Sequence, residues 1–347
     1  MKPITVMVVD DSAFMRKVVS DILAQDSDIA VIATARDGID ALEKLQSLEP
    51  DVILLDVEMP RMDGLTFLGK VLSRKAHRII MLSALTGEGS VTTIQALAEG
   101  ALDFIQKPSG SISLDIENKT GEIISKVKAA AAIPTGRLGS VLASPVPRHP
   151  VIPVQDGIEE CRKIVFIASS TGGPRALHTL LAGCPPLKHA GMIIVQHMPA
   201  GFTLSLSRRL NEVTVITVNE GRQGGCLSVN QAILAPGGKH LLMSPDRRIL
   251  LNDDPPLKGL RPCADLTLLS LVQVFEDRIC CVVLTGMGKD ALEGCRVLKQ
   301  KGGQILAQDE KTSLIFGMPK AVIENGLADR VLALERMPEA IEEWDKA

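Results

Sequence analysis

A serine-rich break in an apolar run is the first place where this chain could do chemistry. In KIVFIASSTGGPRALHTLLAGC, residues 163–184, a strand-like stretch ends in two serines and a threonine, passes two glycines and a proline, and enters a helical pattern. Such a turn either cradles a phosphate on its backbone N–H groups or presents a hydroxyl as a nucleophile. The phosphate reading calls for G-x-x-x-x-G-K-[ST] or G-x-G-x-x-G, and the sequence has neither. The nucleophile reading calls for a base and an acid at the ends of other strands. His197 follows the apolar run GMIIVQ, and Asp290 follows ICCVVLTGMGK. Serine, histidine and aspartate so placed have the makings of a hydrolytic triad, which is defined by geometry and not by chain order. Met287, between Gly286 and Gly288, offers a backbone N–H to a tetrahedral oxyanion. Ser169 still belongs to the apolar run while Ser170 begins the turn, so the hydroxyl favoured is that of Ser170, with Ser169 left open. His240, in APGGKH, is a weaker base candidate, and no Cys and His pair at metal-ligand spacing.

A second constellation lies nearer the N-terminus. Asp10 and Asp11 end the run ITVMVVD, Asp56 ends DVILLD, Ser83 ends RIIMLS, and Lys107 follows DFIQ. Three carboxylates converging at one sheet edge repel one another, and a hard divalent cation such as Mg²⁺ resolves that repulsion. A cation, a hydroxyl and a lysine around one carboxylate are the means of moving a phosphoryl group onto it. The competing structural reading makes DDS a helix N-cap cluster.

The elements that must position these residues follow from hydropathy. Short, continuous apolar runs alternate with amphipathic stretches such as GIDALEKLQSL (38–48) and GSVTTIQALAEG (89–100), the pattern of buried parallel strands with covering helices. Five such strands precede residue 133. From Lys163 the alternation resumes, with candidate strands that include VTVITV (213–218) and QILAQ (304–308). Between them, residues 134–162 hold Pro134, Pro145, Pro147, Pro150 and Pro153 and no period, which reads as a tether. The fold expected is α/β, with two doubly wound parallel-sheet domains at 1–133 and 163–347. Functional groups in such sheets gather at the carboxyl ends of strands.

Composition sets limits on this reading. The 347 residues carry a formal charge of −3 and only 2% aromatics, with no Tyr, so neither a basic surface nor stacking platforms point to nucleic acid. No apolar run approaches the length of a membrane span and the N-terminus lacks a signal-peptide layout, so a cytoplasmic protein that is not membrane-inserted is expected. Seven scattered cysteines without a CxxC pair read as free thiols.

Residues 4–133 resemble the receiver domain of response regulators, through Asp10, Asp11, LLDVEMPRMDG, Ser83 and DFIQKP. The resemblance implies a flavodoxin-like fold with Asp56 as phosphoacceptor from a histidine kinase, supported by Ser83 and Lys107. It also implies Mg²⁺ held by Asp10, Asp11, Asp56 and the backbone carbonyl of Glu58, and a switch aromatic at Phe104. Residues 163–347 are similar to the catalytic domain of chemotaxis protein-glutamate methylesterases, through SSTGGP, QHMPAGFT, LAPGGKH, LTGMGKDA and AQDEKTSLIFGMPK. That resemblance implies a Rossmann-like hydrolase domain without a cofactor of its own. Its nucleophile is Ser170, its base His197, its acid Asp290 and its oxyanion donor Met287, with Thr171 orienting the histidine. The activity implied is phosphorylation-gated demethylation of glutamate γ-methyl esters, and deamidation of glutamines, on chemoreceptors. Ala291 and Cys263 depart from the family pattern, which has glycine and serine there. The rival expectation is a non-enzymatic response regulator whose second domain only binds a partner.

Overall fold

The computed structural model describes residues 2–84, 87–107, 114–134, 136, 138 and 161–347, and these form two units divided near residue 144. Most of the expected tether, including Pro145, Pro147, Pro150 and Pro153, lies outside the described residues.

In the first unit, strands β1 (Ile4–Val9), β2 (Ile29–Ala35), β3 (Val52–Asp56), β4 (Ile79–Ser83) and β5 (Asp103–Gln106) form one parallel sheet in the order β2-β1-β3-β4-β5. This is the flavodoxin-like doubly wound order, whose switch point lies between β1 and β3. Asp10, directly after β1, and Asp56, the last residue of β3, therefore come together. Val6 to Val9 and Val52 to Leu55 are fully buried, because helices cover both faces and alternation has no solvent side to answer to. Ser12 is the N-cap of helix Ala13–Leu23, its hydroxyl accepting from the Met15 N–H. The capping reading of DDS thus holds for the serine alone. Helix Leu114–Ala131 closes the unit and takes in most of the alanine run.

In the second unit, seven parallel strands run in the order β14-β13-β12-β6-β7-β9-β8. They are β6 (Lys163–Ser169), β7 (Ala190–Gln196), β8 (Thr217–Glu220), β9 (Gln231–Leu234), β12 (Ile279–Val283), β13 (Gln304–Gln308) and β14 (Arg330–Leu332). A hairpin of β10 (His240–Met243) and β11 (Ile249–Asn252) stands apart as a two-stranded antiparallel ribbon. The central strands β6, β7 and β12 are buried almost end to end. Phe166, fully buried in β6, alone contributes about 2–3 kcal/mol of burial free energy. The strand expected at 213–218 begins only at Thr217. The Thr214 hydroxyl accepts from the Ile216 N–H, and the Asn230 side-chain amide donates to the Val215 carbonyl, so side-chain bonds replace the ladder before Thr217.

The start of β6 meets the last helix, Met337–Lys346. The Lys163 ammonium donates to the carbonyls of Trp344 and Asp345 at 3.0 and 3.3 Å and lies 5.0 Å from the Trp344 ring centroid. The buried Asp345 carboxylate accepts from the Lys188 and His189 N–H groups. No described helix is long and apolar enough to cross a membrane.

Candidate active site and phosphorylation site

Strands β12, β6 and β7 are neighbours, and the three candidate residues of the triad stand just past their carboxyl ends. Register sets the alignment, since Ser169 pairs with Gln196 across β6 and β7, so Ser170 and His197 leave the sheet side by side. The ladder continues past the strands, with the Ser170 N–H donating to the Thr285 carbonyl at 3.1 Å and the His197 N–H to the Ser169 carbonyl at 3.0 Å. After Ser170 the chain must turn sharply into helix Gly173–Gly183. Gly172 makes that turn at φ 78°, where a side chain would be strained and its Cβ would lie 2.8 Å from Leu314.

His197 Nε2 lies 2.7 Å from Asp290 Oδ2. Asp290 is buried and heavily bonded. Oδ2 also accepts from the Ala264 N–H at 2.6 Å, and Oδ1 accepts from the N–H groups of Asp265 and Ala291 at 2.9 and 3.0 Å. Burial opposes its charge, but His197 and the backbone donors outweigh that cost and hold the carboxyl well below the usual carboxylate range. An ionised Asp290 accepts the proton on Nε2, which leaves His197 Nδ1 as the basic nitrogen. The Ser170 hydroxyl makes no hydrogen bond with the described residues, the His197 ring included. The Met287 N–H is likewise unspent.

Ser169 is settled differently. It is fully buried and its hydroxyl donates to Gln196 Oε1 at 2.7 Å. Ser170, the first residue past the strand, is half-buried. His240 is not among the three strand ends; it is buried at the start of β10, with Nε2 3.4 Å from the Pro255 carbonyl. Thr171 gives its carbonyl to the Thr285 hydroxyl at 3.1 Å.

Both positions that depart from the family pattern contact Asp290. The Cys263 thiol donates to Asp290 Oδ1 at 3.2 Å, and burial together with the Asp290 charge pushes it up to about 12. It is an unreactive donor to the carboxylate. Ala291 sits at φ 77°, in the left-handed region, which is the physical reason a glycine would suit that position. Sequence reasoning missed Gln196 and Asp265; the only signal was a polar residue at the end of an apolar run or at a helix start. The seven cysteines are all free.

In the first unit, one carboxylate oxygen each from Asp10, Asp11 and Asp56 lies within 4.8 Å of the others. The Lys107 ammonium reaches Asp10 Oδ2 at 2.8 Å and Asp56 Oδ2 at 2.7 Å, and those two buried oxygens have no other donor. Burial pushes the Asp56 carboxyl up to about 6, against the pull of Lys107 and with the help of the Asp10 charge. Burial also works against the Lys107 ammonium, but Asp10 and Asp56 outweigh it and raise its pKa. Hard oxygen donors with lone pairs to spare fit a divalent cation such as Mg²⁺. The buried Ser83 hydroxyl accepts from Thr93 at 2.7 Å. Phe104 is buried, with the Lys126 ammonium 5.3 Å from its ring centroid.

Comparison with known proteins agrees with both halves. Residues 165–341 match the CheB methylesterase family and residues 6–116 the response regulator receiver domain. A protein-glutamate methylesterase/protein-glutamine glutaminase of Symbiobacterium thermophilum is 44% identical over 98% of this chain and 96% of its own. The chain belongs to the CheB methylesterase family. A relative in Pyrococcus horikoshii with the same description is 46% identical over 98% of this chain and 93% of its own. The catalytic domain of Thermotoga maritima CheB methylesterase superposes with a TM-score of 0.50 at 39% identity, covering 52% of this chain and 97% of that one. Membership makes this methylesterase an enzyme with a receiver domain, and the non-enzymatic reading is not favoured.

Proposed function

We propose that this chain is a phosphorylation-activated serine esterase that hydrolyses glutamate γ-methyl esters, and deamidates glutamines, on chemoreceptors. The observation that carries the reading is the arrival of Ser170, His197 and Asp290 at three adjacent strand ends, with His197 already held by Asp290 at 2.7 Å. The Ser170 oxygen attacks the γ-carbonyl carbon while its proton passes to His197 Nδ1. The oxyanion that forms meets the Met287 N–H. Collapse of the tetrahedral species breaks the ester C–O bond, and the methoxide leaves as methanol with the proton from His197. Water then repeats the sequence on the acyl-serine and releases a glutamate carboxylate. A glutamine substrate gives ammonia by the same route. Asp290 stays ionised and holds the imidazole in one tautomer, and Thr171 helps orient the ring.

The domains proposed are a receiver at 1–133, a tether at 134–162 and the catalytic domain at 163–347. In the receiver, Asp10, Asp11, Asp56 and the Glu58 carbonyl would hold Mg²⁺. A Mg²⁺ held there would supply charge neutralisation for the transferring phosphoryl group. Asp56 is the acceptor from a histidine kinase, and Lys107 and Ser83 contact the phosphoryl oxygens. The reaction proposed is cytoplasmic, on receptor segments outside the membrane, a reading that membership of the family supports.

The test is methanol release from methylated receptor membranes. Ser170→Ala is expected to lose far more than the roughly 10²–10³ of a single oxyanion donor, and persistent release would remove Ser170 from its role. A small phosphodonor is expected to raise the rate of the full chain and not that of residues 163–347; an equal response of both would reject the gating.

A further inference from the structure

A hydrogen-bonded unit behind the proposed triad has no task in the chemistry above. Gln196, the last residue of β7, is 2% exposed. Its Oε1 accepts from the Ser169 hydroxyl at 2.7 Å, and its Nε2 donates to the Ser170 carbonyl at 2.9 Å and to the His197 carbonyl at 3.0 Å. Chemistry dictates this orientation of the amide, because two backbone carbonyls can only accept and so must face the nitrogen. Both amide hydrogens are spent, one on the residue proposed as nucleophile and one on the residue proposed as base.

The position of this bridge matters. The last ladder bond between the two strands is His197 N–H to the Ser169 carbonyl, and beyond it the two chains part, one into helix Gly173–Gly183 and the other toward Met198. The Gln196 amide spans that parting. The site is cut to fit it: a Cβ at residue 173 would lie 1.9 Å from Gln196 Oε1, so any side chain there would displace the amide. The second glycine of STGGP therefore makes room for Gln196, while the first makes the turn.

We infer that Gln196, locked by Ser169, is a positioning residue of the esterase that sets the separation of Ser170 from His197. The inference rests on the proposed roles of those two residues. Ser170 Oγ is not hydrogen-bonded to the histidine at rest, so the reacting geometry depends on where the two backbones are held. A misplacement of about 1 Å is enough to cost on the order of 10²-fold in rate.

The experiment uses the full chain, phosphodonor and methylated receptor membranes, with Trp344 fluorescence in urea to follow folding of the second unit. Gln196→Met keeps the length and apolar bulk of the side chain and removes all three bonds. A fall in kcat of about 10²-fold is expected, with KM within about threefold and the same pH at which the rate reaches half its plateau. Ser169→Ala leaves the nitrogen bonds but frees the amide, and a kcat loss of about 3–10-fold at constant KM is expected. Ser169→Thr, which retains the hydroxyl, is expected to recover most of that loss. A kcat near the parent value in folded Gln196→Met, or a change confined to KM, would overturn the inference. If Gln196→Met fails to fold, the Ser169 pair decides, and equal rates for Ala and Thr would count against it. Activity surviving in Ser170→Ala would refute the triad reading instead, so the two failures are distinguishable.

Discussion

Replacing Asp290 by asparagine should cost stability as well as rate, because this carboxylate does structural work that His197 does not share. Helix Ala264–Phe275 begins at Cys263, which makes no side-chain cap, and its first two N–H groups, Ala264 and Asp265, are instead satisfied by Asp290. A third N–H, from Ala291, completes the set. An asparagine offers one acceptor oxygen. In the better of its two orientations the oxygen keeps Asp265 and Ala291, and the amide nitrogen confronts the Ala264 N–H. That orphaned donor costs about 1–3 kcal/mol, and the surviving bonds lose their charge assistance, which brings the total to about 2–4 kcal/mol. With a urea dependence of about 1–3 kcal/mol per molar, the midpoint should fall by roughly 1–2 M. Trp344, the only tryptophan, reports the transition of this unit alone. His197→Ala leaves the backbone donors in place and should shift the midpoint by well under half as much. The Asp290 carboxyl is depressed below its ordinary 3.8, so its contribution is complete above pH 4 and fades only in stronger acid. The gap between parent and variant should therefore be constant from pH 5 to 8. An unchanged midpoint in Asp290→Asn would show that the backbone donors are not held as described.

Asp56 carries the opposite sign. Its folded value of about 6 against 3.8 unfolded means that stability is full below pH 4 and is lost as the pH rises through 6, by about 3 kcal/mol in total. In chelator, Asp56→Asn should thus slow hydrogen exchange in residues 4–106 at pH 7.5 and not at pH 4, whereas millimolar Mg²⁺ should protect the parent more than the variant. At residue 291 the left-handed backbone should make Gly and Ala nearly equal, strain relief offsetting the flexibility and lost methyl of glycine, while Ala291→Val should cost about 3 kcal/mol in urea titrations. Cys263→Ala should leave kcat within about threefold, since three backbone donors remain on Asp290; a hundredfold loss would mean the thiol matters more than its weak bond allows.

Much of this was legible in the sequence because the chemistry sits where strands end. Continuous apolar runs marked β1, β3, β6, β7 and β12, and the polar residues that close them are the ones the sheet order brings together. The hairpin of β10 and β11 was missed because HLLM and ILLN are too short to separate from loop by period. The strand at 217–220 was misplaced because the apolar period of VTVITV starts before the ladder does, and Thr214 and Asn230 decide its start through bonds that hydropathy does not encode. The contact of Cys263 with Asp290 was not legible because nothing in RPCAD says that its helix start points at Asp290. Ser169 and Gln196 face one another only through the β6–β7 register, a fact about two strands and not about either segment.

The meeting of Lys163 with Trp344 and Asp345 bears on how such a chain can be assembled. In the catalytic unit the first sheet strand, at Lys163, is fastened to the last helix. A sheet whose first strand is pinned to its last helix in this way keeps that contact when the unit is spliced behind a different regulator. Trimming the last few residues is another matter, because the same cut would release the carboxylate that seats Lys188 and His189.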